Sequence, residues 1–130
     1  MPVMFSYELA QRAEPTIPVV LQNGAKAITI ELLLDSGAFT SLMSYEVGVL
    51  LGLKRRTLKE AEVDLIGFNN VLSKGVFRTV RVTVKGYKTV TLKAVWLYRE
   101  QDRFIQPLLG RDFFQYFDIR FLKRGKIVIS

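Results

Sequence analysis

Residues 32–42 read LLLDSGAFTSL. Three leucines run directly into an acid, a small hydroxyl residue and a glycine, followed by alanine and an aromatic. A carboxylate is costly to bury among apolar neighbours unless its charge is offset. Asp35 therefore either ends a strand as an ordinary turn residue or is held in an apolar setting that alters its chemistry. The tripeptide Asp-Ser-Gly does not decide between these, because all three residues are common in turns.

Working outward, most of the flanking sequence has the two-residue period of strands. In residues 16–34, TIPVVLQNGAKAITIELLL, two apolar runs surround Gln22-Asn23-Gly24, and Asn-Gly is a strong hairpin signal. In residues 76–84, VFRTVRVTV, the valines Val80, Val82 and Val84 share one face while Thr79, Arg81 and Thr83 share the other. Beyond a turn at KGYK, Val90, Leu92, Ala94 and Trp96 repeat the pattern against Thr89, Thr91 and Lys93. This alternation predicts a half-buried antiparallel sheet, with Trp96 in the core.

Two stretches depart from it. SYEVGVLLGL, residues 44–53, opens on Ser44 as an N-cap, carries Val47, Leu50 and Leu51 at helical spacing, and stops near Gly52. Gly48 weakens that helix. GRDFFQYF, residues 110–117, reads as a short helix with Phe113, Phe114 and Phe117 packing inward. The chain then closes with a strand, a turn at Arg124-Gly125 and a last strand. The run at residues 53–60, LKRRTLKE, reads as a solvated connection.

With 130 residues there is room for one domain, spanning 1–130, and 49% hydrophobic composition suffices for a packed core. The chain has neither cysteine nor histidine. Disulfides, thiolate nucleophiles, Ser-His-Asp triads and His- or Cys-ligated zinc are therefore all excluded. Acid–base chemistry falls to carboxylates, lysines or tyrosines. No apolar run is long enough to span a membrane, and MPVMFSYELAQRAEP lacks the pattern of a secretion signal, so we expect a soluble cytoplasmic protein. The net charge is +7, and residues 65–99 hold seven basic residues and no acid. Such a bias suits nucleic acid or an acidic partner, but the alternation puts most of these residues on the exposed face of a sheet.

Two further stretches complete the pattern opened by Asp35. DLIGFNNVLSKG, residues 64–75, has the makings of a mobile hairpin with a Gly- and Asn-containing tip. PLLGRDFF, residues 107–114, runs two leucines into Gly110, where the missing side chain lets another backbone approach closely. LLLDSGAFTSLM, the hairpin, and PLLGRDFFQYFDI, in that order, resemble the retropepsin-like aspartic proteases, single-domain enzymes of retroviruses and retrotransposons with cellular and prokaryotic relatives. The helix at MSYEVGVLLGL is similar to cellular and prokaryotic members. The resemblance covers about residues 17–129.

It implies a mostly β fold, a closed acid-protease barrel with one or two short helices and one lobe per chain. It also implies an endopeptidase active as a homodimer, with one Asp35 from each chain on the two-fold axis. An independent count agrees: the chain has one Asp-Ser-Gly, while the chemistry needs two carboxylates. Two carboxylates about 3 Å apart cannot both ionise and so share a proton; one activates water while the other protonates the peptide carbonyl.

By the same resemblance, Ser36 bonds across the dimer axis, Gly37 lets the backbone approach substrate and Ala38 keeps the floor small. Ile66, Gly67, Phe68, Asn69 and Asn70 form the substrate-covering flap. Gly110 is passed closely by the active-site loop, Arg111 belongs to the second signature, and Asp112 caps the terminal helix. The terminal strands help form the dimer interface. No metal or organic cofactor is implied, and the partner is an extended peptide or protein. Two departures stand out. Many retroviral members carry an acid two residues after the motif glycine that pairs with the signature arginine; here Phe39 stands there, leaving Arg111 to find another partner. The flap tip is also poorer in glycine. The alternative function is an inactive or weakly active dimer of the same fold, serving as a basic interaction module for nucleic acid or acidic protein.

Overall fold

The computed structural model describes residues 2–7, 14–66 and 72–130. Among these, ten strands and two short α-helices follow one another: β1 Val3–Ser6, β2 Thr16–Asn23, β3 Lys26–Leu34, β4 Leu42–Met43, α1 Tyr45–Leu50, β5 Val63–Ile66, β6 Leu72–Val84, β7 Thr89–Trp96, β8 Leu108–Leu109, α2 Arg111–Phe114, β9 Ile119–Leu122 and β10 Lys126–Ile129. No helix among the described residues is long and apolar enough to cross a membrane.

The larger sheet has the order β2-β3-β8-β4-β7-β6-β5, and β2 also pairs with β6. Hydrogen-bonded pairing therefore runs from β2 through β3, β8, β4, β7 and β6 and back to β2, with β5 attached outside this ring. The sheet is mostly antiparallel, but β3–β8 and β4–β7 are parallel. A second sheet, β1-β10-β9, joins the two chain termini. The terminal strands, β1 and β10, thus pair with one another inside a single chain.

The alternation in β6 and β7 is realised along their outer halves and gives way to continuous burial at Gly75–Val76 and Ala94–Trp96. Val80, Val82, Val84, Leu92, Ala94 and Trp96 are buried, while Thr79, Arg81, Thr89, Thr91 and Lys93 are exposed. Ile17, Val19 and Leu21 of β2 and Leu32 and Leu34 of β3 complete this core. The first hairpin turns one residue later than Asn-Gly suggests. Asn23 is the last residue of β2, paired with Lys26, and Gly24 at φ +58° opens the turn. The Asn23 side chain instead donates to the Leu51 carbonyl at 2.8 Å, closing the end of α1.

Helix α1 begins as expected, with Ser44 Oγ accepting from the Val47 N–H, and ends before Gly52 at φ +64°. Val47 and Leu51 are buried, but Leu50 is 61% exposed. Helix α2 covers only four residues. Phe113 and Phe117 are buried and stack at 4.6 Å, whereas Phe114 is half-buried. The connection at residues 53–60 is largely exposed, yet it is pinned where Glu60 accepts two bonds from the Arg78 guanidinium, at 2.6 and 2.8 Å.

Candidate active site

Strand β3 ends in Leu32, Leu33 and Leu34, buried or half-buried on both faces, while β2 and β8 pair with its two edges. It delivers Asp35 to the first position beyond the sheet. The Asp35 N–H donates to the Leu109 carbonyl at 2.9 Å, and its carbonyl accepts from the Ala38 N–H at 3.1 Å. The chain thereby folds back in a tight turn over residues 35–38. The Gly37 N–H donates to Asp35 Oδ1 at 2.9 Å. A Cβ on Gly37 would lie 3.2 Å from that oxygen, so glycine leaves the carboxyl face open. Asp35 is half-buried, and Ser36 and Gly37 are exposed.

The second signature clamps this turn. A Cβ on Gly110 would fall 2.6 Å from the Thr40 carbonyl oxygen and 2.8 Å from that of Ala38. Only glycine lets the two loops pass this closely. The Arg111 N–H donates to the Ala38 carbonyl at 2.9 Å. Its side-chain Nε donates to the Ser36 carbonyl at 3.1 Å. With Phe39 in place of an acid, the arginine thus takes a backbone partner inside the Asp-Ser-Gly turn itself.

Asp112 caps α2 in part, through the Phe113 N–H, but from inside the first turn and with a second partner. The N-cap position of α2 is Gly110, which has no side chain to offer. Asp112 Oδ1 accepts instead from the Ser41 N–H at 2.8 Å, the Ser41 hydroxyl at 2.6 Å and the Phe113 N–H at 2.9 Å. Ser41 Oγ in turn accepts from the Gly110 N–H at 3.0 Å. Asp112 is therefore a bracket between the active-site loop and α2. Oδ2 of the same carboxylate is buried without a partner among the described residues.

Asp35 opens onto a groove of about 890 Å³ lined by Leu33, Ala38, Phe39, Leu42, Leu65, Ile66, Ile105 and Leu108, among others. Phe39 and Ile66 are 74% and 75% exposed, apolar surfaces left facing this space. The charged side chains among its described lining residues are Asp35 and Glu14. Of the expected flap residues, Ile66 lines the groove, while Gly67, Phe68, Asn69 and Asn70 lie outside the described residues. Among those described, no three His, Cys, Asp or Glu side chains converge where a metal ion could be held.

Residues 35–38 and 110–111 thus come together as one unit. Sequence reasoning missed Ser41, whose role depends on a partner 71 residues away. It also missed Ile105 and Gln106 on the groove, since nothing in their neighbourhood marks them apart from an ordinary loop.

The comparison with curated proteins found no match. Two solved structures share the fold. A retropepsin-like aspartic protease from Rickettsia conorii superposes with a TM-score of 0.69 at 17% identity, covering 99% of this chain and 89% of that one. The EIAV protease complexed with the inhibitor HBY-793 gives 0.60 at 22% identity, covering 86% and 93%. A family model described as aspartyl protease matches residues 17–113, from the first core strand through the Asp-Ser-Gly turn to the helix after Gly110. On that match and a retropepsin-like fold, the chain belongs to the aspartyl protease family.

Proposed function

We propose that the chain is an aspartic endopeptidase that works as a homodimer, with Asp35 of each chain supplying one carboxyl. The observation that carries this is the setting of Asp35. Its carboxyl stands half-buried on the floor of an apolar groove, with one oxygen held by the Gly37 N–H and the turn clamped from below by Gly110 and Arg111. An acid used only as a turn residue needs neither the groove nor the clamp.

One chain supplies half of the chemistry. A second copy related by a two-fold axis brings a second Asp35 close to the first, and the two then share one proton and titrate as a pair. The ionised member draws a proton from a water between them. The protonated member donates to the scissile carbonyl as the water attacks, giving a tetrahedral intermediate with no covalent bond to the enzyme. Ser36, exposed beside the carboxyl, is the residue that bonds across the axis in this reading. Substrate lies extended along the groove with its side chains alternating to either side.

The test is cleavage of a mixed peptide library from about pH 4 to about pH 7, because carboxylate catalysis depends on pH. Wild type and Asp35→Asn are run side by side at a concentration where sedimentation shows dimer. Cuts made by wild type and missing from the variant are expected. A folded dimer that cuts nothing at any pH would sink this function and favour the interaction module.

A further inference from the structure

Two segments line the groove from separate parts of the chain: Leu65, Ile66 and Ser73 from the β5–β6 hairpin, and Ile105, Gln106 and Leu108 from the loop after β7. Between them lies a polar cluster that the chemistry at Asp35 does not use. Asp102 is only 7% exposed, unusual for an acid. Its Oδ2 accepts from Arg99 Nε at 3.0 Å and Nη2 at 2.9 Å, and makes a longer contact of 3.5 Å with the Lys74 N–H in β6. Its carbonyl accepts from the Ile105 N–H at 3.1 Å. One residue therefore holds the hairpin stem through its side chain and the opposite lining segment through its backbone.

A second grip lies on the other strand of the hairpin. The Tyr98 hydroxyl donates to Glu62 Oε2 at 2.7 Å, immediately before β5 begins. The stem is also pressed against the end of β7, since a Cβ on Gly75 would lie 2.8 Å from the Trp96 carbonyl oxygen. The two guanidinium bonds from Arg99 offset the charge of this nearly buried carboxylate and fix its position, so the cluster resists sliding.

We infer that the segment from Tyr98 to Asp102 is a clasp that sets the width of the substrate groove, with Asp102 as its positioning residue. Resting on the protease function above, this makes the clasp a determinant of which side chains fit beside the scissile bond, at a distance from the catalytic carboxyl. Loosening it lets the hairpin stem and the Ile105 segment move apart.

The experiment compares kcat/KM for matched peptides with small (Ala, Val) or bulky (Leu, Phe) residues flanking the cut, for wild type, Asp102→Asn and Tyr98→Phe. A changed fit of even one methylene alters discrimination about tenfold, so the bulky-to-small ratio should rise by about fivefold in Asp102→Asn and by less in Tyr98→Phe. A variant that merely lowers the folded fraction scales every peptide alike and leaves the ratio unmoved. Ratios within about twofold of wild type in both folded variants would overturn the clasp. Absence of Asp35-dependent cleavage in wild type would overturn the protease function itself, and the clasp with it.

Discussion

Gly110 and Ser41 carry the clamp beneath Asp35, and each can be tested alone. With carbonyl oxygens 2.6 and 2.8 Å from its would-be Cβ, Gly110→Ala forces two backbones apart. Overpacking of this kind costs about 1–3 kcal/mol, and urea unfolding should show a loss in that range, together with lost cleavage because the Asp35 turn moves. Ser41→Ala strips a hydroxyl from Asp112 and an acceptor from the Gly110 N–H. Leaving such groups unpaired costs about 1–3 kcal/mol, while Ser41→Thr keeps the hydroxyl and should lose less. Glu60 offers a pH test. Hydrogen bonds from the Arg78 guanidinium, and then from the Thr57 N–H, hold its carboxyl at about 2 instead of the ordinary 4.5. A depressed acid contributes its stability in full above 4.5 and loses it as the pH falls through 2. The Tm gap between wild type and Glu60→Gln should therefore be open at neutral pH and closed near pH 2. At this scale the sequence exposed Asp35, Gly37 and Gly110 because each has a local reason to be that residue. Asp112 was half legible, because its bond from the Phe113 N–H is local whereas its partner Ser41 lies in another loop.

Among the elements, α1 and β7 meet at one contact that shows why a weak helix signal still made a helix. Gly48 is a poor helix former, yet a Cβ there would lie 2.0 to 2.5 Å from three atoms of the Trp96 indole. The indole lies flush against the helix, with its Nε1 3.4 Å from the Tyr45 carbonyl as donor. Packing therefore outweighs propensity at this position. Gly48→Ala gains up to about 1 kcal/mol of helix propensity but must displace the buried indole. Net destabilisation is expected on chemical denaturation. Trp96 is the chain's single tryptophan, so a shifted emission maximum in the folded variant would locate the damage; a more stable variant with unchanged emission would contradict the contact. The strands of β6 and β7 were legible because a half-buried ladder imposes alternation over much of their length. The four-residue length of α2 was not: apolar spacing runs on to Phe117, but beyond the helix the N–H groups of Tyr116 and Phe117 bond three residues back, to Phe113 and Phe114, as tight turns.

Over the whole molecule, the ring of pairings leaves one Asp35 lining one groove, and the choice between a lone chain and a pair becomes a stoichiometric question. The net charge of +7 opposes self-association weakly and over a distance that salt shortens, so it does not forbid a two-fold contact. The basic bias of residues 65–99 is spread out instead of gathered on one sheet face: Lys74, Arg78 and Arg99 pair with Asp64, Glu60 and Asp102, Lys85 and Lys88 lie between β6 and β7, and Arg81 and Lys93 are exposed on the strands. If each site needs Asp35 from both chains, mixing wild type with an equal amount of Asp35→Asn and allowing exchange leaves wild-type pairs at about half their former number, the remaining wild-type chains being locked into mixed pairs. Cleavage per wild-type chain should then fall to about half, and further as the variant is added in excess. Chains that each carried a complete site would cut at the same rate however much variant was present. Dilution gives the complementary readout, because a rate that depends on pairing falls faster than chain concentration once the dimer begins to part.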